Sequence, residues 1–245
     1  GLFATVTGQP AINMFAQTFS GCGNLTGAIP SDLFAGIDGE YRDSMYHSTF
    51  SGCAKLGTEI SESDIPQYMR DGYAMPPNLF GKLYNAPKGS MFHYTFSGCK
   101  GLQGRIPEKL FGEIDGAPAG SMFAYTFSDC SGLRGEIPAD LFGGIKLTGD
   151  GQDNMFVRTF CNCKNLTKIP ENLFGMLSGK TGASMFSETF MILSFSTRIS
   201  YATTTPYRFS LAQNLSLTAK ASGLRLTVAE QAYPRPLSLS RLPSM

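Results

Sequence analysis

The sequence repeats itself at intervals of about 31 residues, and no other feature constrains the fold of the chain as strongly. A methionine opens each copy, at positions 14, 45, 91, 122, 155 and 185, and we number the repeats 1 to 6 by these methionines. Threonine and phenylalanine follow four and five residues after each methionine, and cysteine follows eight residues after the first five. Because a unit of this size cannot bury its apolar side alone, the repeats are expected to stack.

The pattern within repeat 1 predicts the elements of the unit. Phe15, Phe19 and Cys22 have the spacing of one face of a short helix. Residues 25–29 run into Pro30 and predict a short strand, because proline cannot continue a hydrogen-bonded ladder. Pro30 and the Leu-Phe pair behind it predict a second helical turn. Residues 1–190 are therefore predicted to form an α/β repeat solenoid, a leucine-rich-repeat-like stack of units that each combine a short strand with short helical turns.

Stacking also predicts the shape and the interior of the array. Parallel strands lie about 4.8 Å apart, whereas packed helices need about 8–10 Å, so the stack is expected to curve with its strands inside. The repeated cysteines share the predicted face of the phenylalanines, and we expect them to form a reduced ladder in the core. The repeated threonines are expected to bond to the backbone of their own turn.

Repeat 2 carries an insertion. The step from its methionine to the next is 46 residues, against 31 for the step before it, and the excess lies near residues 57–74. Insertions in repeat arrays map to loops on one face, so this segment is either a tolerated surface loop or a loop that contacts a ligand. Its acidic side chains and the two histidines form the one candidate cluster for an enzyme or metal site: Glu59, Glu62, Asp64, Asp71, His47 and His93.

Other catalytic and metal-binding patterns are not found in the sequence. The two histidines follow the methionines of consecutive repeats and can stack, but their slot varies freely between repeats, so we expect them to face solvent. Cys161 and Cys163 lack the spacing of a zinc site, and no second pair exists. The other cysteines are repeated core positions rather than candidate nucleophiles. We therefore expect no enzyme activity, no cofactor and no metal.

Both ends of the sequence depart from complete repeats. Residues 2–14 match the later part of a unit, so the chain is expected to be a fragment. Residues 191–245 lose the pattern and contain six basic and one acidic residue, whereas residues 1–190 contain 14 basic and 18 acidic residues. Three interpretations of this tail remain open: out-of-frame translation, a genuine basic extension or cap, and a linker to a further module. In each case we expect it to be poorly ordered or loosely packed on the array.

The composition excludes several classes of protein. Hydrophobic residues make up 42% of the chain and charged residues 16%, which is too apolar for a disordered chain and too lightly charged for a coiled coil. The net charge of +1 supplies no basic field for nucleic acid. No apolar run approaches the roughly 18 residues of a membrane span.

The run Thr-Phe-Ser-Gly-Cys, followed by leucine and Ile-Pro at residues 18–30 and 95–107, resembles the BspA-like class of bacterial leucine-rich repeats. Units of that class read Ala-Phe-x-x-Cys-x-x-Leu before Ile-Pro, and the units here are about eight residues longer in the Leu-Phe segment. The resemblance covers residues 1–190. It implies an extracellular protein of a bacterial surface that serves in adhesion or protein binding, and it implies no catalytic residues.

Two slots vary between repeats while the positions around them stay fixed, and they are the candidate contacts with a partner. Tyrosine and arginine are favoured contact residues. The candidates are Tyr94, Tyr125 and Arg158, three residues after the methionine, and Arg105, Glu136 and Lys168, directly before isoleucine. The first hypothesis is a non-catalytic scaffold that binds a protein or glycan. The alternative is a passive spacer whose functional module lies outside this sequence.

Overall fold

The computed structural model describes residues 2–3, 5–112, 114, 117, 119–142, 152–170, 173–174 and 181–191. The expectation for the tail therefore lies, except for Met191, outside the described residues. Within them, regular elements are short. Strands β1 (Asp38–Glu40), β2 (Lys82–Tyr84), β3 (Arg134–Glu136) and β4 (Asn165–Lys168) accompany helix α1 (Gln67–Arg70) and one 3₁₀ turn (Glu62–Asp64).

The segment from methionine to cysteine is a chain of β-turns, so the prediction of a short helix there was wrong. In repeat 1 the N–H groups of alternate residues, from Ala16 to Cys22, donate to the carbonyl three residues earlier. Every fourth residue has a positive φ: 57° at Asn13, 59° at Gln17 and 76° at Gly21. A left-handed residue in the third position is the mark of a type II turn, and it prevents the helix that the apolar spacing indicates.

The remaining N–H groups of these turns bind the neighbouring repeat. Phe15 donates to Met45, Gln17 to His47 and further alternate residues to the repeat after theirs, at N–O distances of 2.7–3.1 Å throughout the array. Each repeat is thus joined edge to edge with the next by backbone hydrogen bonds, as in a parallel sheet. These turns stack at a strand-like spacing, and within the described residues no helices separate the repeats on this side. The difference between strand and helix spacing, from which curvature was expected, is therefore not present in these segments.

The repeated threonine and cysteine supply a second set of bonds between repeats. Thr126 Oγ1 donates to the carbonyl oxygens of Phe123 in its own turn and Phe92 one repeat earlier, both at 2.8 Å. Cys130 Sγ donates to Phe96 O at 2.9 Å. Hydroxyls at the same position reach the preceding repeat in Thr49, Thr95, Thr159 and Thr189. The expectation that threonine bonds the backbone of its own turn is confirmed for Thr18, Thr49 and Thr126. The bonds to the preceding repeat were not foreseen.

We expect Thr126→Val to reduce the free energy of unfolding by about 0.5–1.5 kcal/mol, because the buried carbonyls of Phe92 and Phe123 each lose the hydroxyl donor and keep a backbone N–H donor. Valine keeps the shape of threonine, so the loss reports the hydroxyl. Thr18→Val is the matched control, since Thr18 is exposed and bonds only Phe15 O of its own turn. Urea denaturation of both variants measures the difference, and equal losses would contradict this role of the hydroxyl.

The described strands lie in two different segments of the repeat. The predicted strand before isoleucine is present in repeats 4 and 5. Strands β3 and β4 occupy the segment before isoleucine in repeats 4 and 5 and pair in parallel. Residues 25–29 of repeat 1 form no strand, which corrects the prediction there. Strands β1 and β2 instead follow the Leu-Phe pairs and also pair in parallel. Turns, rather than helical turns, occupy the residues after Pro30.

The insertion folds back onto the first repeat. It contains the 3₁₀ turn and α1, and the buried Tyr68 donates its hydroxyl to Ile29 O at 3.0 Å. Arg70 holds the segment together by donating to the carbonyls of Glu62 and Ile65. The insertion is therefore anchored by a packed tyrosine rather than being a plain surface loop.

Three columns of stacked aromatic rings form the core. They contain every phenylalanine of residues 1–190, with Tyr46 in the place of one. Adjacent rings within a column lie 5.4–6.3 Å apart and nearly parallel. The columns are Phe15-Tyr46-Phe92-Phe123-Phe156-Phe186, Phe19-Phe50-Phe96-Phe127-Phe160-Phe190 and Phe3-Phe34-Phe80-Phe111-Phe142-Phe174. Neighbouring repeats are thus in contact through all three columns. The leucine-rich-repeat-like solenoid remains a prediction.

Four of the five periodic cysteines lie in this core. Cys53, Cys99, Cys130 and Cys163 are buried and unpaired, as the reduced ladder requires. Cys22 is exposed, which corrects the expectation for repeat 1. The four buried thiols each donate to a phenylalanine carbonyl one repeat earlier, and Cys22 makes no such bond in the described part of the chain.

Candidate functional site

The structure separates the six candidate contacts into two sets. Tyr94, Tyr125 and Arg158 lie together, because their slot is stacked from repeat to repeat. The rings of Tyr94 and Tyr125 stack with centroids 4.4 Å apart, and the Arg158 guanidinium lies 5.7 Å from the Tyr125 centroid. Arg158 continues to Glu188 through a salt bridge from Nε to Oε2 of 2.5 Å. We call these four residues the ladder.

All four ladder residues have left-handed backbone, with φ between 50° and 57°. Glycine, asparagine and aspartate adopt this conformation most readily, and they do hold the left-handed position four residues later in repeats 1 to 5, for example at Gly98 and Asp129. Tyrosine, arginine and glutamate have no such preference for the left-handed conformation. Large side chains at strained positions point to a role for the side chains themselves.

The ladder is half-buried and partly dehydrated. Loss of hydration, and next the neighbouring Tyr125, raise the pKa of Tyr94. The hydrogen bond from Arg158 to Glu188 raises the pKa of the guanidinium. The ladder thus offers a rigid strip of aromatic edges and hydroxyls that ends in a paired charge, which is a surface suited to binding and carries no reactive group.

The two histidines extend the ladder. The rings of His47 and His93 meet edge to face at 5.1 Å, and His93 contacts Tyr94 at 4.4 Å. Their stacking was foreseen, but both are half-buried, so the expectation that they face solvent was wrong. Burial lowers the pKa of both imidazoles; for His93, the proximity of His47 adds to the effect and the pKa falls to about 4.

We expect stability to fall as the pH drops from about 6.5 towards 4. Over this range the imidazoles take up protons in the unfolded chain and resist them in the folded chain, so protons favour unfolding. His93→Gln should flatten the dependence. Melting temperatures at about pH 7 and about pH 5 test this, and parallel falls in the parent chain and the variant would assign the loss to the carboxylates instead.

The second set lies apart from the ladder. Arg105 lies over the Tyr73 ring at 4.7 Å and donates to Asp71 O at 2.8 Å, so it joins repeat 3 to the insertion. Glu136 and Lys168 form an exposed salt bridge of 3.1 Å between β3 and β4. An exposed pair of this kind contributes little to stability. Arg105 is thus engaged with the insertion, and Glu136 and Lys168 are engaged with each other.

The acidic insertion does not meet the histidines in the described contacts. Asp64 and Asp71 accept hydrogen bonds from residues of the insertion, and Glu59 pairs with Lys55. The imidazoles contact each other and the two ladder tyrosines. Among the described residues, no three histidine, cysteine, aspartate or glutamate side chains are grouped to hold a metal ion.

Sequence reasoning missed a cleft across repeats 3 to 5. It has a volume of about 330 Å³ and is lined by Lys100, Asp129, Ser131, Asn162 and Lys164. Asn162 donates to Asp129 at 2.7 Å. The available signal was a departure from the pattern: aspartate and asparagine stand where repeats 1 to 3 have glycine, and lysine recurs after the cysteines of repeats 3 and 5.

Comparison with known proteins does not identify a family for the chain. No protein-family model, no curated protein and no solved structure matches it. The resemblance to BspA-like repeats therefore stays a hypothesis based on the motif. Over the part of the chain that the structure describes, no helix is long and apolar enough to cross a membrane.

Proposed function

We propose that residues 1–190 are a leucine-rich-repeat-like solenoid of a bacterial surface or secreted protein. In this proposal it binds a protein or glycan partner, as in adhesion, and catalyses no reaction. The ladder carries the proposal, because it places two tyrosines and an arginine in one continuous strip at backbone positions that suit glycine better. Tyrosine and arginine lose little conformational freedom when they are already stacked and paired, which favours binding.

The test removes the rings without straining the backbone. Tyr94→Gly/Tyr125→Gly suits the positive φ of both positions, so the variant should keep its fold. Binding is measured by biolayer interferometry on immobilised fibronectin, fibrinogen, laminin and mucin. For each probe that the parent chain binds, we expect the dissociation constant of the variant to rise by at least about tenfold.

The matched control is Glu136→Ala/Lys168→Ala, which removes the exposed pair of the other slot. It should change the dissociation constant by less than about twofold. Equal binding by the parent chain and the tyrosine variant would rule out the ladder as the contact surface. A parent chain that binds none of the probes would favour the alternative, a passive spacer whose functional module lies outside this sequence.

A further inference from the structure

The cleft of repeats 3 to 5 differs from the ladder in its chemistry. Two ammonium groups, a hydroxyl, an amide and a carboxylate converge on about 330 Å³. Lys100 and Lys164 occupy equivalent places two repeats apart, which separates their backbones by about 10 Å. Ser131 occupies the same place in the repeat between them. The fixed spacing of the stack therefore sets the distance between the two charges.

The cleft carries an excess of positive charge. Neither lysine forms an ion pair within the described part of the chain, whereas Lys55 and Lys168 are paired. Asp129 is the one carboxylate in the lining, and it accepts a hydrogen bond from Asn162. A local charge of about +1 stands out, because residues 1–190 carry 14 basic and 18 acidic residues. A positive local charge favours an anionic ligand.

The carboxylate of Asp129 limits which anions the cleft can bind. A carboxylate in the lining repels the anionic groups of any ligand, but the hydroxyl groups of a sugar offset this repulsion by donating hydrogen bonds to it, whereas the side chains of an acidic peptide have no such donors. Ser131 and Asn162 can each donate and accept, as sugar hydroxyls also do. Asp129 has a φ of 60° at a position that is glycine in repeats 1 to 3, so its side chain is tolerated there against the preference of the backbone.

We propose that this cleft binds an acidic saccharide, with its carboxylate or sulfate groups on Lys100 and Lys164 and its hydroxyl groups on Asp129 and Asn162. This deepens the proposed binding function by assigning the glycan, and it places the glycan beside the ladder rather than on it. The backbone of Cys161 links the two surfaces, since its N–H donates to Arg158 O at 3.2 Å and its carbonyl accepts from the N–H of Asp129 at 2.8 Å. One partner with a glycan and a protein part could thus contact both.

The probes are a heparin-derived hexasaccharide, a galacturonic acid hexamer, the neutral methyl ester of that hexamer and a hexaglutamate peptide. Isothermal titration should show binding of at least one acidic saccharide and none of the neutral ester. Lys100→Ala/Lys164→Ala should weaken that binding by about tenfold. Lys55→Ala/Lys168→Ala removes the same charge from other places and should change it by less than about twofold.

Asp129→Gly separates a saccharide from a peptide. It restores the residue of repeats 1 to 3, so the fold is kept, and it removes the carboxylate. Saccharide binding should weaken, whereas binding of hexaglutamate should strengthen because a repulsion is lost. The inference is overturned if no acidic saccharide binds, if hexaglutamate binds as well as the saccharide, or if the lysine variant binds normally. Tyr94→Gly/Tyr125→Gly should bind the saccharide normally. A result that contradicts partner binding by the ladder therefore does not contradict saccharide binding in the cleft.

Discussion

Replacing Phe127 by alanine should reduce the free energy of unfolding by about 3–5 kcal/mol, one of the two largest effects expected in this chain. The ring is fully buried and stacks between Phe96 at 5.7 Å and Phe160 at 5.5 Å. Its removal interrupts a column in the middle, and rigid turns on both sides prevent the cavity from closing. Chemical denaturation measures the loss, and Phe127→Leu, which should lose less than about 1.5 kcal/mol, covers the case in which the alanine variant does not fold.

The control is Phe19→Ala at the same position of repeat 1. Phe19 is only partly buried and stacks on one ring of its column, Phe50, at 5.4 Å. We expect a loss of about 1–2 kcal/mol, because less apolar surface returns to water. Equal losses at the two positions would contradict the interpretation of the column as a continuous stack.

We expect Gly81→Ala to reduce the free energy of unfolding by about 3 kcal/mol or more. Gly81 has a φ of 78°, and a Cβ there would lie 2.5 Å from Ile37 O and 2.8 Å from Phe34 O. Both oxygens belong to the backbone of the preceding repeat, so neither can rotate away. The substitution therefore combines a left-handed alanine with an overlap that only separation of the two repeats relieves.

Gly112 provides the matched comparison, because it follows the Leu-Phe pair in the next repeat. Its φ is 73°, but the nearest atom to an added Cβ is Tyr41 Oη at 3.4 Å. Gly112→Ala should reduce the free energy of unfolding by about 1–2 kcal/mol, because only the left-handed backbone conformation opposes the alanine. If thermal unfolding shows the same loss for both variants, the close approach of repeats 1 and 2 at Gly81 is wrong.

The sequence predicted the contacts between repeats better than the elements within them. Identical residues at a constant interval indicate stacking whatever the local backbone, and the columns of phenylalanine and the buried cysteines follow from that alone. The spacing of Phe15, Phe19 and Cys22 is also compatible with successive four-residue turns, which the helical interpretation overlooked. The signal was the asparagine, serine, glycine or aspartate at the first and third of the three positive-φ positions in a repeat, such as Asn13 and Gly21 in repeat 1.

The candidate site was predictable in part. Tyr94, Tyr125 and Arg158 share a slot, so stacking brings them together. The sequence could not show that Arg105 would turn to Tyr73 of the insertion, because the path of an insertion is set by its own packing. The cleft was overlooked because its residues were considered as departures from a pattern rather than as neighbours across repeats.

The central claim is that the periodic residues are interior rungs of one stack, and the rate of thiol modification tests it most directly. A pulse of iodoacetamide on the folded chain, mapped by mass spectrometry, compares all the periodic cysteines at once. We expect Cys22 to react first, because it is exposed, and the four buried thiols to react only when the chain unfolds. These four are Cys53, Cys99, Cys130 and Cys163. Comparable rates for all five in the folded chain would contradict the account.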